Sequence, residues 1–547
     1  MAGNLTRRDL LKAGAIITAV AGCSGEESQS QTPPVGQPTP ASTASNLIAD
    51  VVVVGAGYAG MGAAWELFKN GKRVIVLDAN SRVGGRVWSA QLSDGTVFEI
   101  GGQWVSSPDA QPDIRQLMQE LGVGNRVYEQ HTQGDTIFVG ADGTVSRYNQ
   151  NNPDPFQALP PVNDLAKIEL GATILTLNTM ASVVHLNSLW DDVPFPELPG
   201  LLGPQTTREA DQWSIESWLE LNLSDVPETQ DAKTLLRNAF GGVFGVDTGG
   251  VSLLHLLFFI QSSRGDFLNA TGSGPGQAEQ FRIPSPGAQQ MALLIADRLG
   301  PGAVLLNAPV RTIQQDSSGV RVSTSDFTVS AGRVIVAVPT TLNGFIRYDP
   351  ILPPDRAQLQ QRLPQGSVWK IWLVYNRAFW RDQGLTGEST SIFPSDFIPN
   401  ARDGGGPTGQ NTPGLMICFL AGDSARAFNA MSRAARRAEV ISELVHRFGP
   451  QAAQLSPTIR FPAIGPQNPT PDNYFEFNWS LEEFARGDFA AVPGPGVLTG
   501  VGFGPALRAP FGRIHWASVD AATFPYASFS GAVQSGKRAA AEVLAAD

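Results

Sequence analysis

Cysteine is nearly absent from this chain. Of its 547 residues only two are cysteine, at positions 23 and 418. If Cys23 is taken up in a lipid linkage, Cys418 stands alone and neither an intramolecular disulfide nor a cysteine metal site can form. Histidine is scarce too: there are five, none paired at ligand spacing, which argues against a metal centre. No motif supports Ser-His-Asp hydrolysis. An excess of positive charge is also missing, since 39 Lys and Arg face 50 Asp and Glu, for a net charge of −11. An acidic surface repels a phosphate backbone, and no basic cluster follows a nucleic-acid motif, so that class is excluded. Any redox chemistry must therefore come from an organic cofactor.

The N-terminus reads as a targeting segment. Thr6-Arg7-Arg8-Asp9-Leu10-Leu11-Lys12 resembles a twin-arginine export signal. The apolar stretch that follows, Ala13 to Ala21, is too short to span a bilayer. It ends in Val20-Ala21-Gly22-Cys23, similar to a lipobox whose cysteine is lipidated after cleavage. Ser24 to Asn46, rich in Ser, Gln, Thr and Pro, has the composition of a flexible tether. The expectation is an exported protein of the cell envelope that touches the membrane only through a lipid anchor. A twin-arginine route carries folded proteins, which suits a chain that loads a cofactor before export.

What remains is an ordinary globular balance, 42% hydrophobic and 16% charged, with ample material for a core. Asp50 to Asp78 has a βαβ pattern. The β-branched run Val51 to Val54 suits a strand buried on both faces. It leads into Gly55-Ala56-Gly57-Tyr58-Ala59-Gly60, where the first glycine permits a tight turn and the second lets the backbone approach a pyrophosphate. The third, Gly60, lets the helix pack closely on the strand. A helix over about Gly57 to Asn70 and a second strand, Val74 to Leu77, bring Asp78 and Ala79 to where a carboxylate accepts hydrogen bonds from a ribose diol. NAD and FAD both fit at this point.

The following segment narrows the choice. Ser81-Arg82-Val83-Gly84-Gly85-Arg86 continues from the acid, with Arg86 able to supply charge-assisted hydrogen bonds. Downstream, Gly101-Gly102-Gln103-Trp104 offers paired glycines for backbone contact with a flat ring. This ordered set resembles the flavin amine oxidases, that is, the flavin monoamine and polyamine oxidases of the flavin amine oxidoreductase superfamily, rather than NAD dehydrogenases.

The resemblance extends over about residues 48 to 546, and it implies several further roles. Val310, in a β-rich block running to Val338, would contact adenine through its backbone. Gly512 to Asp520 reads as a strand ending in an acidic loop, in which Asp520 would contact the ribityl or phosphate. The small-residue helix beginning near Ser528 and Phe529 would aim its N-terminal partial positive charge at the flavin. Trp479 is similar to a residue beside the cofactor. The apolar strand Gly366 to Tyr375 carries one charge, Lys370, which would lie near flavin N5 and assist electron transfer to O2. An isolated ammonium there calls for a reason; the alternative is a lysine that reaches out from a strand edge.

Phe489 would form one wall of an aromatic cage for the amine. Ser528 falls at the second tyrosine position of the cage, with Tyr526 near enough to substitute. Asp488 stands where monoamine oxidases have a cysteine that bonds the flavin, so FAD is expected to be non-covalent.

The expected fold is α/β with an α+β substrate domain. The Rossmann-like FAD-binding domain would be assembled from residues 47–130, 295–345 and 471–547, with substrate-domain segments over 131–294 and 346–470, after a leader over 1–23 and a tether over 24–46. The resemblance implies an amine oxidase that transfers a hydride equivalent from the α-carbon to flavin N5. The imine would be hydrolysed, and O2 would reoxidise the flavin to give hydrogen peroxide. The incomplete cage keeps a related amino-acid oxidase, desaturase or isomerase in view. An amino-acid oxidase would need an arginine near the flavin face, and none is identifiable. A lipid-anchored protein that keeps flavin without catalysis is a third reading. The amine itself and the oligomeric state, homodimer included, stay open.

Overall fold

Four consecutive valines, Val51–Val54, are buried throughout, and a run apolar on both faces belongs in the middle of a parallel sheet. The computed structural model describes residues 45–546, apart from 125, 155, 199, 273–280 and 501. Val51–Val54 lies at the centre of a five-stranded sheet whose order is Val304–Leu305, Val74–Leu77, Val51–Val54, Arg333–Val336, Ile514–Trp516. All four pairings are parallel. Three widely separated stretches of chain thus build one sheet, as the α/β expectation requires. The leader over 1–23 lies outside the described residues, as does the tether up to residue 44. Ser45 and Asn46, expected as the end of that tether, instead begin the strand Ser45–Ile48, which pairs with Phe327–Ala331.

Tyr58–Lys69 is the helix that follows the glycine-rich turn. Its close approach to the strand explains Gly60: a Cβ there would sit 1.9 Å from the Gly55 carbonyl oxygen. The last helix, Phe529–Ala545, is capped by the Ser528 hydroxyl, which accepts from Gly531 N. Small residues on that helix let it pack against the first one, with Ala539, Ala540 and Val533 in the same core cluster as Ala59, Ala63 and Ala64.

The second layer is a seven-stranded sheet in the order Tyr474–Asn478, Val368–Tyr375, Gly414–Ala421, Asn400–Asp403, Leu385–Ser391, Asp135–Val139, Val145–Tyr148. Every residue of Val368–Tyr375 is buried, as befits an inner strand. Strand alternation divides it. Trp369, Ile371, Leu373 and Tyr375 pack with Val440, Leu444 and Phe448 of the helix Arg433–Phe448. Trp372 and Val374 pack instead with Phe98 and Ile100, the segment leading to Gly101. Lys370 shares this second parity, and its ammonium reaches the Gly101 carbonyl. Helices Asp164–Ala181, Gln230–Phe244 and Leu253–Ser262 share the remaining large apolar cluster. The last of these buries every residue from Leu253 to Ile260. No helix among the described residues is long and apolar enough to cross a membrane.

Candidate active site

A cavity of about 830 Å³ runs from the glycine-rich turn, past the Lys370 strand, to the helical layer. Its walls include Gly55, Gly57, Tyr58, Ala59, Asp78, Ala79, Gly85, Arg86, Gly101, Gly102, Gln103, Trp104, Val310, Trp479, Ser528 and Phe529, together with Lys370, Phe489 and Tyr526. Two residues expected in the site lie outside its walls. Gly60 faces the strand, as described. Asp520 is buried, and its carboxylate oxygens accept from Thr340 N and Ala491 N, both at 2.9 Å. It joins two loops from distant parts of the chain, while its neighbours Ser518 and Val519 line the cavity.

At the turn, Asp78 Oδ2 accepts from Ala56 N at 2.6 Å and Oδ1 from Asn80 N at 2.8 Å. Burial pushes its carboxyl above the usual range, against those two hydrogen bonds. Arg86 donates through Nη1 to the Asp488 carbonyl at 2.5 Å. Its burial lowers the guanidinium pKa, opposed by the charges of Asp520 and Asp488. Phe529 packs over Gly102, where a Cβ would meet the ring at 2.4 Å, and lies 5.1 Å from the Tyr58 ring.

The Lys370 ammonium donates to Gly101 O at 2.7 Å and Gln103 Oε1 at 2.6 Å. Burial holds it well below the ordinary lysine value; Glu99 opposes that shift and Arg282 adds to it. Glu99 is in turn raised by burial, with Ser89 and Ala288 N bonded to its oxygens. An ammonium has three protons to donate, so one remains for the cavity. Gln103 is 1% exposed and its Nε2 has no partner, a donor left over at the cavity wall. Asp488 is 8% exposed with Oδ2 unpartnered, and burial raises its carboxyl to about 7.

These residues fit a flavin dinucleotide. A Cβ on Gly57 would meet only Gly85 Cα, at 3.8 Å, so the backbone there is open to a close-lying group. A buried acid stands beside the turn, and leftover donors stand beside a buried ammonium. An orphaned buried amide is costly unless a ligand completes it.

On the substrate side Phe489 is 38% exposed, a large apolar ring left open at the cavity wall. Tyr526 is 5% exposed, donates through its hydroxyl to Ala491 O at 3.0 Å, and packs edge-on against His255 and Phe258. It contributes to the wall as part of the core, with its polar end already engaged. His255 itself is buried among these rings, and burial lowers its pKa to about 3. Ser528 lines the cavity while it caps the last helix.

Several lining residues carry no sequence signal. Glu388, Thr390, Asn400 and Arg402 come from the two strands at the middle of the seven-stranded sheet. Arg402 lies 5.7 Å from the Trp104 ring centroid, and burial lowers its guanidinium to about 10. Leu385–Ser391 has the composition of a loop, and only strand pairing could have found it.

Residues 58–544 match the family model for flavin containing amine oxidoreductases. Putrescine oxidase of Kocuria rosea is 30% identical over 512 residues, covering 91% of this chain and 95% of that protein. The solved structure of a putrescine oxidase bound to putrescine superposes with a TM-score of 0.77 at 31% identity, covering 92% of this chain and all of the other. Cyclohexylamine oxidase from Brevibacterium oxydans gives a TM-score of 0.75 at 27% identity, covering 91% and 99%.

Proposed function

The chain belongs to the flavin containing amine oxidoreductases and is an FAD-dependent amine oxidase, and from that premise we propose how its own residues divide the work. One observation carries the reading: a buried ammonium, Lys370, is tied to the Gly101 carbonyl at 2.7 Å within the same cavity as the glycine-rich turn. When bound, FAD would supply the electron sink for a hydride equivalent from the amine α-carbon, with O2 as the final acceptor giving hydrogen peroxide.

Gly55, Gly57, Asp78 and Arg86 hold the dinucleotide, and Gly101, Gly102, Gln103, Trp479 and Phe529 surround its ring. Asp488 has no sulfur to offer, so the cofactor is held without a covalent bond. Lys370 keeps one N–H for a water in the cavity and presents positive charge where electrons pass to oxygen. Phe489 and the edge of Tyr526 bracket the amine. Their apolar surfaces penalise the charged form of a buried amine, which favours the neutral, oxidisable species. The leader supports export by the twin-arginine route and anchoring through Cys23.

Anaerobic mixing of the purified holoenzyme with a panel of primary amines tests this. Bleaching of the flavin absorbance is expected, and acid precipitation should leave the yellow colour in the supernatant. No bleaching with any amine overturns the substrate class; a yellow pellet overturns the non-covalent reading.

A further inference from the structure

The loop over 482–488 holds an arginine where its backbone favours glycine. Arg486 has a φ of 55°, in the left-handed region that strains a side chain. The turn imposes it: Arg486 N donates to Glu482 O at 2.8 Å and Ala485 N to the same carbonyl at 3.1 Å. Beyond it, Asp488 N donates to Gly366 O at 2.9 Å, and a Cβ on Gly487 would meet Gln365 Cβ at 2.5 Å. Glycine at 486 would adopt this conformation freely. An arginine kept there at a cost points to a use for its side chain.

The Arg486 guanidinium lies 4.3 Å from the centroid of the Phe345 ring. Its Nε donates to Glu483 O at 3.2 Å, and neither Nη has a hydrogen-bond partner among the described residues. Phe345 is 59% exposed and Arg486 is exposed with it, yet both line the cavity, so the pair stands at its rim. The two come from separate segments. Phe345 ends the turn Thr340–Phe345, which continues from Val338 and Pro339 of the cavity wall. The Arg486 loop is fastened to the segment after the glycine-rich turn: Arg86 donates to the Asp488 carbonyl, and the Glu482 charge acts on Arg82. Between those two arginines in sequence stand Gly84 and Gly85, both in the cavity wall. Glu482 and Glu483 line the cavity as well, and two carboxylates there would repel a phosphate in the groove. Arg82 offsets the first of these charges, and Arg486 is the cation on the same turn as both.

We propose that Arg486 and Phe345 form a clasp that retains FAD. The ring steadies the guanidinium, and the free Nη groups give charge-assisted hydrogen bonds to the cofactor's pyrophosphate. This rests on the FAD-binding reading and adds two cofactor-retaining residues to it.

The test is the apparent Kd for FAD, read by ultrafiltration of the purified holoenzyme at falling concentrations. Arg486→Gly relaxes the backbone, so weaker retention in that variant cannot come from added strain. Its Kd is expected to rise about tenfold, the scale of a charged hydrogen bond. Arg486→Gln, which keeps the strain and removes the charge, should match it. Phe345→Ala should raise Kd about threefold, the scale of an exposed cation–π contact, and should add nothing in the Arg486→Gly background. Added salt should weaken binding more steeply in the wild type than in either Arg486 variant. If both Arg486 variants hold FAD as tightly as the wild type, or the Phe345→Ala effect persists in full without the arginine, the clasp is overturned and the cofactor reading stands. A wild type that retains no FAD and takes up none removes both.

Discussion

Two of the three protons on Lys370 are engaged by Gly101 and Gln103, and the third is what the side chain can offer the cavity. Burial works against its charge and holds its pKa well below the ordinary lysine value. The sign of the pH effect follows. The ammonium is present at low pH and is lost as pH rises through this depressed value, so flavin reoxidation by O2 should slow on the alkaline side, at a pH below the usual lysine range. Lys370→Met should lower the reoxidation rate constant on the order of tenfold to a hundredfold and remove that inflection. Stopped-flow reoxidation across pH checks both; a variant retaining the wild-type inflection would assign it to another group. Lys370 was legible in the sequence because a lone charge in Val368–Tyr375 contradicts its surroundings. Glu388 and Arg402 were not, since a glutamate within Leu-Thr-Gly-Glu-Ser-Thr-Ser contradicts nothing.

At the scale of elements, Asp520 ties together distant parts of the chain. The resemblance implied a cofactor contact for it. Its partners are Thr340, in the loop after Arg333–Val336, and Ala491, just beyond Phe489. Those residues lie 180 and 29 positions away, and no local pattern reports such a meeting. Asp520→Ala leaves two buried N–H groups without an acceptor, a destabilisation of about 2–5 kcal/mol. Asp520→Asn keeps one carbonyl acceptor and should lose about half as much. Denaturant melts of the three proteins check the order, and an alanine variant as stable as wild type would contradict the clamp. The glycine-rich turn, by contrast, was legible down to single residues, because Gly60 answers to a backbone clearance that depends on its immediate neighbours alone.

For the molecule as a whole, the three-part sheet means that the cofactor side cannot form until the final segment is made. Ile514–Trp516 pairs with Arg333–Val336, and the helix Phe529–Ala545 packs on Tyr58–Lys69. The described residues begin with the strand Ser45–Ile48, which sets the expectation for the N-terminus. A chain starting at residue 44 should retain its flavin and melt within about 2 °C of the full-length protein. One starting at residue 49 removes an edge strand and should melt several degrees lower, the shift expected for about 1–2 kcal/mol. In cells, Cys23→Ser should move the protein from the membrane fraction to the soluble one, and retention on the membrane would contradict the lipid anchor. The parallel sheet could be foreseen from its valine runs. The seven-stranded sheet could not, because its polar strands acquire their identity only by pairing.

The in-register row from Lys370 to Thr390 also ties the cavity wall to the alignment of three strand pairs. A one-residue slip in any one of them would turn part of that wall to the opposite face of the sheet.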